Sequence, residues 1–319
     1  MKRNISFAVL LLGLCMMLSA CRSQTKMAGE ESLSDSQKEA CTLEEDRKTI
    51  RIPGIKDSYR LLVINDLHIV ETETEREIPK ETKDEIQARY ESFADTSGVA
   101  SREQWEWLSD QIQDYGPDAV VLAGDLVDFY SPENLETLKD GLDKIEVPVI
   151  YTRADHDYGT WYIEEDRKTV KKQEAAICDN SRVILQEFPD FLIVGINNST
   201  SQMTKAGLRA LKKIWEKEKP VILITHVPLD SLTDRGLYEE SKKLWGDRAL
   251  LWGKDCYYEP NETTQKYLDM VLGEDSPVVA VISGHLHFPY TIQLNDRITE
   301  YVFDASYKGK LGILTVSGD

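Results

Sequence analysis

The sequence predicts an α/β fold built on a largely parallel sheet, and two observations carry that prediction. Unbroken apolar runs at Leu61–Asn65, Ala119–Ala123, Val149–Tyr151, Val221–Thr225 and Val278–Ile282 have the β-branched character of strands buried on both faces. Segments with apolar residues at helical spacing alternate with these runs, the pattern of repeated strand–helix units. A third observation concerns chemistry. The chain has five histidines, and each lies in a short polar motif just beyond an apolar run.

The helical signals follow in order. Ser101 and Gln104 have the spacing of a capping box, Trp105, Leu108, Ile112 and Tyr115 share one face, and Gly116-Pro117 ends the segment. Ser131-Pro132 opens the next helix, whose buried stripe is Leu135, Leu138, Leu142 and Ile145. A third helix carries Leu208, Leu211 and Trp215, and a fourth carries Tyr267, Leu268, Val271 and Leu272. From Tyr290 the pattern shortens to alternating runs around an Asn295-Asp296 turn, which predicts antiparallel strands.

Two segments interrupt the alternation. Residues 70–100 are dense in Glu, Lys and Thr and predict a solvated helix or loop with a surface role. Residues 227–260 bring Trp245, Trp252, Tyr257 and Tyr258 onto one connection, where they either stack on a substrate or pack beneath a long loop.

At 319 residues the length fits one large domain plus a leader and a linker. A net charge of -18 argues against nucleic acid as a main partner, because phosphate backbones call for a positive field. Small phosphate esters stay in play, since bound metal ions supply their own charge. Residues 1–20 read as a leader, with Lys2-Arg3 ahead of an apolar stretch from Phe7 to Leu18 that is short for a spanning helix. The sequence Leu18-Ser19-Ala20-Cys21 resembles a bacterial lipobox, which implies lipidation of Cys21 and anchoring at the outer face of the cell membrane. Residues 21–48, rich in Ser, Glu, Lys and Gln, read as a disordered tether, and 49–319 as the folded domain. Cys41, Cys178 and Cys256 remain. A Cys178–Cys256 disulfide is possible in an exported protein, and free structural thiols are the favoured reading.

The polar motifs are Asp66-x-His68, Gly124-Asp125-x-x-Asp128, Asp155-His156-Asp157, His226 and Gly284-His285-x-His287. Imidazoles and carboxylates gathered beyond the carboxyl ends of strands form a donor set for divalent transition metals. In this order the motifs resemble those of the calcineurin-like metallophosphoesterase superfamily. The resemblance implies a layered α/β/β/α sandwich and two divalent ions, manganese, iron or zinc. Asp66, His68, Asp125 and His287 would hold one ion, and Asp125, Asp155, His226 and His285 the other, with Asp125 bridging. Such a pair lowers the pKa of a shared water and clamps a phosphoryl oxygen. His156 would face the leaving group as proton donor or charge stabiliser, oriented by Asp157. Asp128 is either a support for a ligand or an ordinary loop acid. The implied activity is hydrolysis of a phosphomonoester or phosphodiester, and the other open reading is a metal-binding surface protein with little turnover.

One departure stands out. Ala154-Asp155-His156 replaces the family's usual Gly-Asn-His, which lowers the site charge by one unit and puts the substrate class in doubt. The tyrosine of purple acid phosphatases is missing, with Asp128 in its place, and Phe129 follows where protein phosphatases carry arginine.

Overall fold

The computed structural model describes residues 41, 43–74, 76–162, 166–231 and 233–318. The leader, Cys21 and most of the tether lie outside the described residues.

Two mixed sheets lie face to face. The first contains β1 (Glu44–Arg51), β2 (Tyr59–Ile64), β3 (Ala119–Leu122), β4 (Val149–Tyr151) and β11 (Lys310–Ser317), in the order β1-β11-β2-β3-β4. The second contains β5 (Val183–Glu187), β6 (Leu192–Ile196), β7 (Val221–Thr225), β8 (Val278–Ser283), β9 (Tyr290–Gln293) and β10 (Thr299–Val302), in the order β5-β6-β7-β8-β10-β9. The five apolar runs are β2, β3, β4, β7 and β8. Within each sheet they pair in parallel, so their carboxyl ends share an edge.

Alternation along each strand builds three apolar layers. Leu61, Val63, Ala119 and Val121 meet Ile193, Ile222, Ile224 and Ile282 between the sheets. Leu62, Ile64, Val120 and Leu122 face outward onto Trp105 and Leu108 of α2 (Ser101–Gln111) and Leu138 and Leu142 of α3 (Pro132–Leu142). On the opposite side, Leu223 and Val281 pack under Leu208 and Leu211 of α5 (Lys205–Trp215) and Tyr267 and Val271 of α7 (Glu262–Leu272). This is the expected four-layer α/β/β/α sandwich. The remaining helices are α1 (Lys80–Ser92), α4 (Arg167–Ile177) and α6 (Gly236–Trp245).

Some local expectations change. Among the described residues the first strand begins at Glu44, inside the stretch read as tether, and β1 pairs in parallel with β11 along its whole length. Its charged composition reads as tether, yet an edge strand needs only its backbone partners and tolerates charged side chains. Ser101 does not cap α2. The cap position is Ala100 without a side-chain bond, and the Ser101 hydroxyl donates to the His68 carbonyl at 2.8 Å. Ser131 does cap α3, accepting from the Asn134 amide. The antiparallel expectation after Tyr290 holds for β9 and β10, with Asn295 Oδ1 accepting from the Arg297 and Ile298 amides in the turn. Cys41, Cys178 and Cys256 are free thiols; Cys256 is packed under the second sheet and Cys178 against the first, so the Cys178–Cys256 disulfide does not form. Among the described residues, no helix is long and apolar enough to cross a membrane.

Candidate metal centre

The loops leaving β2, β3, β4, β7 and β8 converge on one edge of the sandwich and carry every motif residue there. Their backbones are held in costly conformations. Asp66, His68, Asp125, His285 and His287 all have φ between +47° and +70°, a left-handed region that side chains other than glycine seldom occupy. Strain of this kind persists where the surroundings over-determine it, and it gathers at functional sites. The loops pin one another: Asp66 and His68 amides donate to the Gly124 and Asp125 carbonyls, and the His285 amide donates to Asp66 Oδ2 at 2.8 Å. The two motif glycines are required by close approach. A Cβ on Gly124 would lie 2.6 Å from the His226 ring, and one on Gly284 would lie 2.5 Å from Asp66 Oδ2.

Three donor groups result: Asp66, His68 and His287; Asp125, His226 and His285; and His68, Asp128 and His156. His68 Nε2 and His287 Nε2 face each other at 3.2 Å, and His226 Nε2 faces His285 Nδ1 at 3.1 Å. Asp125 Oδ2 lies between the pairs, 3.0 Å from His226 Nε2 and 3.9 Å from His68 Nε2. Asp66 Oδ1 lies 3.4 Å from His287 Nε2. The tautomers are set from behind. His226 Nδ1 is 2.8 Å from the Ala123 carbonyl and His68 Nδ1 is 3.2 Å from Asp128 Oδ1, so each donates there and leaves Nε2 as a lone pair toward the centre.

The donor set fits a pair of cations. Asp66 Oδ1, Asp125 Oδ1 and His285 Nε2 are buried without a hydrogen-bond partner, which is costly for any polar atom and most of all for a carboxylate. Burial alone would raise the Asp66 and Asp125 carboxyls, but the charges and hydrogen bonds of the surrounding histidines, His226 foremost, together outweigh it and hold both below the usual carboxylate range. The imidazoles respond unequally. Against burial, Asp125 and Asp66 raise His226 to about 10, whereas burial and the charge of His226 push His285 down to about 3. Without a metal, the buried carboxylates draw a proton onto a neighbouring ring; a cation supplies the same charge.

His156 stands beside the centre with a third of its side chain exposed. Its Nδ1 is 2.7 Å from the Asp128 carbonyl, which leaves Nε2 toward the opening. Burial would lower its pKa, but hydrogen bonding to Asp128 and the charge of Asp125 raise it to about 10. The partner expected for His156 was Asp157, and here the structure differs. Asp157 is fully buried and accepts from the amides of Asp125, Leu126, Val127 and Ala154 and from the Tyr151 hydroxyl. It therefore fixes the β3 loop, and orienting His156 falls to Asp128. Alternating residues of a tight turn point in different directions, so adjacency in sequence did not mean contact.

Asp128 is the hub of this side, bonded to His68, to His156 and, through Nε and Nη2, to Arg89 of α1. The insertion predicted as plain surface thus reaches the site. Its other contribution is Phe93, which stacks on His68 with centroids 4.3 Å apart. Asp155 is the one predicted ligand that belongs to none of the three donor groups. It is exposed and lines a cleft of about 310 Å³ with Arg89, Asp128, Phe129, His156 and Trp161. Asn198 was not foreseen: its Oδ1 accepts from the His226 amide and the Thr225 hydroxyl, both at 2.7 Å. Nothing in an Asn pair between a strand and a helix signals that role. The aromatics of 227–260 divide. Trp252 is buried in the core, while Trp245 donates to the Leu286 carbonyl and meets His287 edge-on, and Tyr258 packs against His285.

A family model described as calcineurin-like phosphoesterase matches residues 59–289. Similar solved structures include a dimetal phosphatase from Danio rerio, 13% identical, covering 78% of this chain and 88% of the other with a TM-score of 0.48. A purple acid phosphatase from yellow lupin is 12% identical, with 82% and 45% covered and a TM-score of 0.46. A phosphopantetheinyl hydrolase from Mycobacterium tuberculosis is 13% identical, with 78% and 90% covered and a TM-score of 0.41. No curated protein matches.

Proposed function

The chain belongs to the calcineurin-like phosphoesterase family, and from that premise we propose that it is a hydrolase of small phosphate esters that works with two divalent transition-metal ions. The observation that carries the reading is the placement of Asp125 Oδ2 within reach of one histidine from each facing pair. Asp66, His68 and His287 would hold one ion and His226 and His285 the other, with Asp125 shared. Bound there, the ions would polarise a phosphoryl oxygen and lower the pKa of a water.

The protein's own groups do the rest. His156, held by Asp128, presents Nε2 to the cleft and can hand a proton to a departing alkoxide. Asp157 keeps Asp125 in place by fixing three successive amides of its loop. Arg89 neutralises Asp128 and brings positive charge to the cleft wall. Trp161, nearly half exposed, gives that wall an apolar face for the alcohol portion of an ester.

The test is to load the purified full-length chain with manganese, iron or zinc, count bound ions, and assay chromogenic mono- and diesters. Two ions per chain with metal-dependent turnover support the reading. At most one ion at saturation overturns it. Two ions without turnover favour a metal-binding protein of this fold, the reading that the position of Asp155 outside the donor groups supports. As part of the same proposal, the lipobox-like segment at Cys21 anchors the protein to the outer face of a bacterial membrane. Cys21→Ser should then release it from the membrane fraction, and retention after leader removal would refute the anchor.

A further inference from the structure

A second cavity, of about 230 Å³, lies beyond the carboxyl end of β6, where the first turns of α4 and α5 approach each other. Its walls include Arg167, Lys171, Arg182, Tyr158, Asn197 and Thr200, and among the described residues no Asp or Glu lines it. That composition is unusual in a chain with 56 acidic residues against 38 Lys and Arg. Arg167 and Lys171 are one helical turn apart on α4, and Arg182 enters from the segment ahead of β5. Among the described residues, none of these three cations has a hydrogen-bonded or ion-paired partner. By contrast Arg89, Arg102, Arg153 and Arg235 are each matched to a carboxylate.

Their placement is otherwise unfavourable. Arg167, Lys168, Lys171 and Lys172 crowd the first half of α4, where the N-cap Asp166 supplies one carboxylate and the first turn adds no acidic residue. Cations there oppose the helix dipole and one another, a cost that a bound anion removes. Arg167, Arg182 and Arg153 also act together on the Tyr158 hydroxyl: burial raises its pKa, and these charges pull against that rise. Asn197 adds a neutral side-chain amide N–H suited to a remaining oxygen of an oxyanion, whereas the Ser199 and Thr200 hydroxyls donate to Asn197 Oδ1 and the Gln202 carbonyl.

We propose that this cavity is an anion site, separate from the metal centre, that holds a doubly charged tetrahedral oxyanion, either a free phosphate or sulfate ion or such a group on a larger molecule. Two backbone connections join it to the centre. Tyr158 lines the cavity and its amide donates to the Asp155 carbonyl, so a single turn separates the anion site from the His156 cleft. Asn197 and Ser199 flank Asn198, which holds His226. The site therefore suits either a distal anionic group of a substrate or an effector anion, and its existence does not depend on turnover.

The test titrates inorganic phosphate calorimetrically into the full-length chain with chelator present, so that metal ions cannot recruit the anion. Arg167→Gln/Arg182→Gln alters two exposed side chains without internal partners, so the fold should survive, as circular dichroism can verify. Lys212→Gln/Lys213→Gln on α5 removes the same charge elsewhere. Saturable binding of one phosphate, weakened about tenfold or more in the arginine pair and unchanged in the lysine pair, is expected from the loss of two nearby charges. Absent saturable binding in the wild type, or equal weakening in both variants, overturns the proposal. Kinetics of the metal-loaded chain then separate the two sources. A higher KM for a sugar bisphosphate but not for p-nitrophenyl phosphate in the arginine variant assigns the anion to the substrate. Unchanged KM for both, alongside lost phosphate binding, assigns it to a free ion.

Discussion

The two halves of the metal centre are built differently. Each half pairs a buried histidine with a partly exposed one, His226 with His285 and His68 with His287, and His226 is held by neutral groups: the Ala123 carbonyl behind Nδ1 and Asn198 Oδ1 on its amide. The His68 ring leans instead on an ionised chain of Asp128 and Arg89, the latter supplied by an inserted helix. The neutral half depends on the two sheets themselves. The charged half depends on a segment that can vary without disturbing the sandwich, and it also holds His156. Affinity is thus built into one half, while the other is open to tuning together with the proton donor.

The largest effect should come from removing what the halves share. Asp125→Asn leaves a similar shape but no charge between the histidine pairs, so metal analysis should show loss of at least one ion and turnover should fall at least about a hundredfold. Wild-type activity in that variant would mean that Asp125 does not bridge.

Unequal behaviour of the halves is tested by a pair of substitutions. Asp128→Asn should weaken one ion about 10- to 100-fold and leave the other in place, and it should lower kcat as His156 keeps the main-chain carbonyl but loses the carboxylate charge 3.3 Å from its Nδ1. Asn198→Ala should instead strand the His226 amide, while the Thr225 hydroxyl keeps the Val227 carbonyl, costing about 1–3 kcal/mol of stability in denaturant titration while kcat at saturating metal changes little. Identical profiles for the two variants would erase the distinction.

Behind the neutral half lies Glu300, fully buried, which accepts from the Ser283 hydroxyl and the Leu229 amide. Burial raises its pKa from 4.5 to about 8, so the folded state binds the extra proton across that window. Its favourable contribution is complete below about 4.5 and disappears as pH rises through about 8. Glu300→Gln should therefore flatten the stability profile between those limits, by up to a few kcal/mol in melting or denaturant experiments. An unchanged slope would show that Glu300 is ionised at neutral pH.

The smallest effect is expected at Asp155, on the open side. Asp155→Asn removes one negative charge near the cleft and should raise kcat/KM for a phosphomonoester relative to the matching diester, by less than about tenfold given the exposure of the side chain. A constant ratio at equal metal occupancy would mean that Asp155 does not set charge preference. A lost ion would make it a ligand despite its position outside the donor groups.

Much of this molecule is determined by residues close in sequence. Apolar runs that end in Asp66-x-His68, Gly124-Asp125, His226 and His285-x-His287 specify buried parallel strands, and such strands deliver their carboxyl ends to a common edge whatever the details of packing. The five motif-bearing strands and most of the donor set could therefore be read directly, while the layer order came from the family resemblance. Tertiary structure alone decided the relations between loops. Asp157 turned inward to the β3 loop rather than toward His156, because neighbouring residues in a turn diverge. Arg89 and Phe93 reached His68 and Asp128 from an insertion whose polar composition carries no sign of its destination. Asn198 found His226 across a strand pair, and Ser101 left its expected cap for the His68 carbonyl. Arg167 and Lys171 are neighbours through the spacing of α4, but Arg182 joins them at one cavity only in the folded chain. Local pattern records which face of an element is buried; which loop an exposed or polar side chain meets depends on contacts between distant segments, and these exist only once both sheets are assembled.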